Sequence, residues 1–276
     1  MKKLLFMAAL FACTGIYAQD KKTSIVLNPN QVITINSQST QKANMGMGME
    51  TNSNNTTVVE SKVTATGKDN YTISSKVKRM VIEADMMGNH SSFDSDKKED
   101  LESDMGKAIA PLLEEEMIAT LDKNTGEWKN EQKAEENKEE NPLEEMMTAI
   151  SGSSPQGLSG GIYFQLPAYF KEGAAWSETK TVKDVKSTTN YTIKTITDNI
   201  VVVGYNSTMV GTTQTEMQGM QVDVDIDSKS TGEITVDGKT SLVKKKSSKD
   251  DINSTLNMGG QTMPITSSVE TTTTIQ

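Results

Sequence analysis

Long runs of this chain alternate apolar residues with hydroxyl-bearing or charged ones at a period of two. Examples are Val32-Ile33-Thr34-Ile35, Val58-Val59-Glu60-Ser61-Lys62-Val63-Thr64-Ala65 and Tyr71-Thr72-Ile73-Ser74-Ser75-Lys76-Val77-Lys78. Successive side chains of an extended strand point to opposite faces, so each run makes one apolar and one polar sheet face. Ser and Thr form roughly a fifth of the residues, well above ordinary soluble usage, and Thr with Val and Ile favours strands. Gly67-Lys68-Asp69-Asn70 supplies a tight turn, which predicts a hairpin between the second and third runs. Asn44-Met45-Gly46-Met47-Gly48-Met49 and Asn52-Ser53-Asn54-Asn55 read as a looser reversal. The strand pattern returns at Ile162 and continues to the end of the chain. There, turn signals at Asp198-Asn199, Gln218-Gly219, Asp237-Gly238 and Met258-Gly259-Gly260 predict a meander of long strands.

Between the two β stretches the period changes. Leu101, Met105, Ala108, Ile109 and Leu112 recur at helical spacing, predicting a helix over 97–113 with Pro111 near its end. Met117-Ile118-Ala119-Thr120-Leu121 reads as a strand leading into the turn Asp122–Gly126, and Asn130–Asn141 as an exposed or disordered linker. A second helix is expected over 142–151: Asn141 can cap it, Pro142 takes its first position, and Leu143, Met146, Met147 and Ile150 form its apolar face. Ser151–Gly161 is a Gly/Ser/Pro loop. The fold expected is α+β: a large curved antiparallel sheet or open half-barrel with both helices packed on its concave face. Asp69-Asn70-Tyr71-Thr72-Ile73 is echoed by Thr189-Asn190-Tyr191-Thr192-Ile193, which suggests a duplicated β unit around a helical, acidic insert at about 95–152.

Lys2-Lys3, the apolar run Leu4–Ala12 and the small residue Ala18 describe a secretory signal peptide over residues 1–18, leaving 19–276 as a single β-rich domain. The rival reading is lipid anchoring at Cys13, because Leu10-Phe11-Ala12-Cys13 loosely resembles a lipobox. Cleavage after Ala18 removes Lys2 and Lys3 and no acid, moving the formal charge from −9 to −11. It also removes the single cysteine, so disulfides and thiolate chemistry are excluded from the mature chain. The acidic balance argues against nucleic acid, whose phosphates call for basic clusters. No later segment approaches the length of apolar chain a transmembrane helix requires. Lys244-Lys245-Lys246 with Lys249 and Asp250-Asp251 reads as a solvated hairpin.

Phe164-Gln165-Leu166-Pro167, followed by Lys171-Glu172-Gly173-Ala174-Ala175-Trp176, resembles a signature of uncharacterised, signal-bearing secreted proteins of Bacteroidetes-type bacteria. Phe93-Asp94-Ser95 and Leu121-Asp122-Lys123-Asn124-Thr125-Gly126 fit the same pattern, although the Asp that often precedes the Trp is missing. The resemblance implies export and a β-rich envelope protein, and carries no activity or catalytic residue. Trp176 reads as a structural side chain filling the sheet face.

Tests for chemistry give no catalytic, cofactor or metal residue. Gly157-Leu158-Ser159-Gly160-Gly161 matches the serine-hydrolase pattern G-x-S-x-G, but the lone His90 lies upstream and no strand–turn–helix context surrounds the motif. His90 reads as a surface loop residue. Asp223, Asp225 and Asp227 share one strand face, as the solvated side of a half-buried strand or a weak cation row; an EF-hand would need Gly at Ser228 and Glu at Ile234. Met45, Met47 and Met49 form an M-x-M-x-M array of soft thioether donors suited to Cu(I), which strand alternation or an apolar hairpin tip explains equally. Glu114-Glu115-Glu116 and Glu135-Glu136 read as solvated faces. The function expected is therefore that of a non-catalytic, periplasmic or extracellular envelope protein, holding an apolar or lipid-like ligand between sheet and helices. The alternative is a structural or protein-interaction component of the envelope.

Overall fold

The computed structural model describes residues 23–130 and 161–276, apart from 45, 47–48, 87, 183, 218–219 and 259–260. Six strands come from the first stretch: β1 (Val32–Asn44), β2 (Glu50–Thr66), β3 (Asn70–Met86), β4 (Asn89–Asp94), β5 (Glu116–Asp122) and β6 (Trp128–Asn130). The second stretch gives β7 (Ala175–Val182), β8 (Val185–Thr197), β9 (Ile200–Met217), β10 (Met220–Asp237), β11 (Val243–Met258) and β12 (Gln261–Ile275). All join one antiparallel sheet in the order β6-β5-β3-β2-β1-β12-β11-β10-β9-β8-β7, with β4 pairing β3 off that path. The first and last strands meet in the middle, Ile35 opposite Ile275 and Asn44 opposite Thr266.

Turn chemistry sets the hairpins where the sequence places them. The Gly67 N–H donates to the Asn70 carbonyl at 2.9 Å between β2 and β3. Asp198 takes a left-handed φ of 55° in the two-residue turn between β8 and β9, a conformation that Asp and Asn tolerate. The Asp237 carboxylate accepts the N–H groups of Lys239 and Thr240 before β11.

Alternation puts Ile33, Ile35, Val59, Val63, Ile73 and Val77 on one face with Ile234, Val243 and Ile275, and these share a single buried cluster. We call this the inner face. The N-terminal segment lies across it. Ile25 N–H donates to the Lys123 carbonyl at 3.0 Å, and Val26 N–H to the Thr240 carbonyl at 3.1 Å. Lys123 follows β5 and Thr240 precedes β11, strands five steps apart in the sheet and so about 24 Å apart if it were flat. Consecutive residues span only about 3.8 Å. The sheet is therefore strongly curled at this end, and the Tyr71 hydroxyl fixes the crossing segment by accepting from Leu27 N–H at 3.1 Å.

This architecture corrects the α+β expectation. The protein is mostly strand, and its described helices are two short ones in the β4–β5 connection: α1 (Lys98–Glu102) and α2 (Asp104–Glu114). The single helix expected over 97–113 is parted at Ser103, whose hydroxyl accepts the Gly106 N–H at 3.0 Å and caps α2. Gly106 has no room for a Cβ against the Asp100 carbonyl, so the two helices close on each other there. Neither helix forms a layer over the concave face. α2 meets β3 and α1 meets β4, and Ile109 enters the core fully buried. The physical reason is that the sheet's own curl, Ile25 and Leu27, and a strap at Ile162 already cover the apolar positions. The helix expected over 142–151, the linker after Asn130, most of the 151–161 loop and residues 1–18 lie outside the described residues. Among the described residues, no helix is long and apolar enough to cross a membrane.

Candidate functional site

The second half of the sheet builds its inner face from cross-strand rows. One row runs Trp176, Tyr191, Tyr205, Gly232, Ser248 across β7 to β11, each residue paired with the next. The neighbouring row runs Glu178, Thr189, Ser207, Ser230, Asp250 over the same strands. An aromatic row and a hydroxyl row thus lie side by side in mid-sheet, with Ile193, Val203, Ile234 and Val236 as the buried apolar end of the same face. Gly232 has a specific role: a Cβ there would stand 2.8 Å from the ring of Tyr205, which lies over the glycine as its cross-strand partner.

The strap, residues 162–166, roofs one side. Its backbone joins the start of β11, with Val243 N–H donating to the Ile162 carbonyl at 3.0 Å and Phe164 N–H to the Ser241 carbonyl at 2.8 Å. Ile162 and Leu166 are fully buried anchors, and Leu166 N–H donates to Thr23 Oγ1 at 2.9 Å. Gln165 Nε2 donates to the carbonyls of Thr23 and Asn124 at 2.9 and 2.7 Å, tying the strap to the far side of the curled sheet. Phe164 is thereby held over the aromatic row, with its ring centroid 5.4 Å from Tyr191 and 6.3 Å from Trp176.

Between strap and rows lies a hollow of about 530 Å³, walled by Tyr163, Phe164, Tyr191 and Tyr205 and floored by Thr189, Ser207, Ser230 and Ser248. Lys180, Lys246 and Asp250 also line it. The floor is hydrogen-bonded within itself: the hydroxyls of Thr189 and Ser207 lie 2.8 Å apart, and Ser248 Oγ donates to the Asp250 carboxylate at 3.0 Å. Burial pushes the phenol of Tyr163 up to about 12. Burial first, and then the charge of Glu178, does the same for Tyr191, also to about 12. Tyr205 is raised by burial and by the Asp250 carboxylate, while hydrogen bonding to Ser230 and Ser248 opposes the shift. The phenols consequently remain neutral, donating and accepting groups at physiological pH.

Of the residues quoted from the sequence, Phe164, Thr189, Tyr191, Lys246 and Asp250 line the hollow and Trp176 adjoins it; the candidates for chemistry fall elsewhere. Trp176 is 8% exposed and ends the aromatic row, as a structural side chain. Lys246 lines the hollow, because the Lys244–Asp251 run is not a hairpin but part of β11. His90 lies in β4 and not in a loop, exposed, with Nδ1 2.9 Å from Asp85 Oδ1. The Asp223, Asp225, Asp227 row is exposed on the outer face. There Asp225 accepts from Thr212 and Asn257 and Asp223 from Gln214, a hydrogen-bonded polar surface. Gly157–Gly160, and Met45 and Met47 of the methionine array, lie outside the described residues. Among the described residues, no group of three His, Cys, Asp or Glu is placed to hold a metal ion. Sequence reasoning missed Tyr205, Ser207, Ser230 and Ser248. The available signal was Ser228-x-Ser230-x-Gly232, a polar interruption on a face that otherwise reads Val222, Val224, Ile226 and then Ile234, Val236.

Residues 166–243 match a family of unknown function, DUF6263. The matched stretch begins in the strap and ends at the start of β11. No curated protein matches the sequence. Among solved structures, the chain is similar to lipovitellin, described by its lipid–protein interactions, at 9% identity and a TM-score of 0.49 over 91% of this chain and 26% of that one. It thus spans about a quarter of the lipovitellin chain. It is also similar to the translocator domain of the autotransporter NalP from Neisseria meningitidis, at 8% identity and a TM-score of 0.22 over 91% of this chain and 90% of that one. A third likeness is to OccK5 (OpdH) of Pseudomonas aeruginosa, at 6% identity and a TM-score of 0.24 over 92% of this chain and 100% of that one.

Proposed function

We propose that the protein is a non-catalytic, exported binding module of the cell envelope, and that an amphiphilic small molecule lodges in the hollow beneath the strap. The observation that carries this reading is the hollow itself. Its 530 Å³ falls within the range of small-molecule sites, and its walls are aromatic while its floor offers hydroxyls. An apolar body lies well against Phe164 and the tyrosine rings, and a polar head meets Ser207, Ser230, Ser248 and the Lys180 and Lys246 ammonium groups. The ligand site expected between sheet and helices moves accordingly, since α2 seats Ile109 directly in the packed core. A wholly apolar ligand is disfavoured, because it would desolvate the Lys180 and Lys246 ammonium groups and the Asp250 carboxylate that line the hollow. Export is supported by the signal pattern of residues 1–18.

Native mass spectrometry of the mature protein, purified without detergent from the producing cell, tests the reading. A mass excess that organic extraction removes is expected, together with rebinding of an alkyl glycoside or fatty acid that alters the intrinsic tryptophan fluorescence. Ser230→Trp, which fills the hollow, should abolish both and leave the protein folded. A chain that always emerges at its own mass and responds to neither probe would overturn the proposal.

A further inference from the structure

At one side the strand order ends on β7, which pairs with β8. Among the described residues no strand lies along its other edge, so alternate residues turn their N–H and C=O groups outward, a template for a further strand. The inner face of β7 carries Trp176, Glu178, Lys180 and Val182 in turn, and its outer face Ser177, Thr179 and Thr181. Val182 is apolar and yet 70% exposed.

Two copies of β7 can pair antiparallel about a two-fold axis normal to the sheet, so that one sheet runs into the next with both inner faces on the same side. Directly opposed residues share a face, so the axis must pass through a residue and not between two. The charges then choose which. An axis through Glu178 sets that carboxylate against its own copy, and an axis through Lys180 sets two ammonium groups together; like charges directly opposed are unfavourable. An axis through Ser177 sets Glu178 against Trp176, and one through Thr181 sets Lys180 against Val182, leaving each charge without its opposite. An axis through Thr179 opposes Glu178 to Lys180 twice and Val182 to Trp176 twice, with Ser177 against Thr181 on the other face.

We infer that β7 is a self-association edge, which pairs with β7 of a second copy of this chain about Thr179. Lysine on the inner side of an edge strand ordinarily discourages pairing. Here Glu178 stands two positions from Lys180 on the same face, so the edge disfavours a strand that is apolar or uniformly charged and accepts one with the mirrored arrangement, which β7 itself supplies. Val182 of the second copy comes to lie beside Trp176, at the end of the aromatic row, and extends its apolar cover. Eight residues a side are few beside the ~20–30 of a standard interface, so the association is weak and depends on concentration.

Sedimentation equilibrium of the mature protein, with charge exchange at the edge, tests the inference. A monomer–dimer equilibrium is expected. Lys180→Glu should weaken it roughly tenfold or more, because two opposed pairs turn from attractive to repulsive, and so should Glu178→Lys. The double variant Glu178→Lys/Lys180→Glu should recover the dimer, as should mixing the two single variants; circular dichroism checks that each folds. Cysteine scanning reads the register, since residues 19–276 hold no native cysteine. Thr179→Cys should form a disulfide dimer with diamide, because opposed Cα atoms stand about 4.5–5.5 Å apart, within disulfide reach. Ser177→Cys and Thr181→Cys should each fail alone, their copies being about 13 Å apart, and should cross-link when mixed. A chain that stays monomeric at its solubility limit, a dimer indifferent to the charge exchange, or cross-links in another pattern would each overturn the inference.

Discussion

The indole of Trp176 stacks on the ring of Tyr191, its cross-strand partner, with centroids 5.0 Å apart and 22° between the planes. Trp176 is the one buried residue of β7, the outer strand of the sheet. The stack is thus the chief apolar tie of that strand. Trp176→Ala should lower unfolding free energy by about 3–5 kcal/mol and raise amide exchange along β7, while Trp176→Phe should keep most of the stability. Denaturant unfolding with hydrogen exchange checks both; an alanine variant within about 1 kcal/mol of the wild type would show that β7 is held otherwise.

The buried phenols make stability depend on alkali. Tyr163 and Tyr191 titrate at about 12 in the folded protein, against 10.0 for an ordinary phenol. Between these values the unfolded chain has already released protons that the native state retains, so it binds fewer. Stability is full below pH 10 and falls as pH rises from about 10 to 12. Urea midpoints measured up this range should decline, and Tyr163→Phe/Tyr191→Phe should flatten the decline without removing it, because Tyr205 is raised too. An unchanged slope in the double variant would mean that other groups cause it.

Strands, turns and the Ile35 and Val59 type of core position were legible because period two is a local property. Gly67–Asn70 and Asp198-Asn199 turn where their residue types demand. The helical layer was misread because the 3.6-residue stripe over Leu101–Leu112 is real, but its partner surface is set by non-local events. Ile25, Leu27 and Ile162 come from distant parts of the chain and already cover the sheet. The hollow was hidden for a related reason. Thr189, Ser207, Ser230 and Asp250 form a row only once four strands are in register, and Tyr163 and Phe164 join them through a strap whose position rests on hydrogen bonds to Thr23, Ser241 and Val243. Register is a property of pairs of strands and leaves little trace in any one of them.

The Ser103 cap offers a local test of how α2 is started. Its hydroxyl accepts the Gly106 N–H at the start of the helix. Ser103→Ala should cost about 1 kcal/mol, and Ser103→Asp should restore most of it, as an acceptor that also suits the positive end of the helix. Chemical denaturation of the three proteins measures this. Equal stability of Ala and Ser would mean that Ile109, and not the cap, sets the helix in place.

Gly232 is the position where backbone packing and the hollow meet. A side chain there first meets the Ser247 carbonyl of the neighbouring strand, which is backbone and cannot easily give way, and also the Tyr205 ring, 2.8 Å from its Cβ. Gly232→Ala should therefore destabilise by about 1–3 kcal/mol, the usual range for forced overpacking. If the ring is pinned over the glycine by Tyr191, whose centroid lies 6.3 Å away, removing it should relieve part of that cost. The cycle formed by Gly232→Ala, Tyr205→Ala and the double variant should then show a coupling above about 0.5 kcal/mol, with alanine at 232 less costly in the Tyr205→Ala background. Equal cost in both backgrounds would assign the whole penalty to the Ser247 carbonyl, and the wall of the hollow at Tyr205 would be free to move.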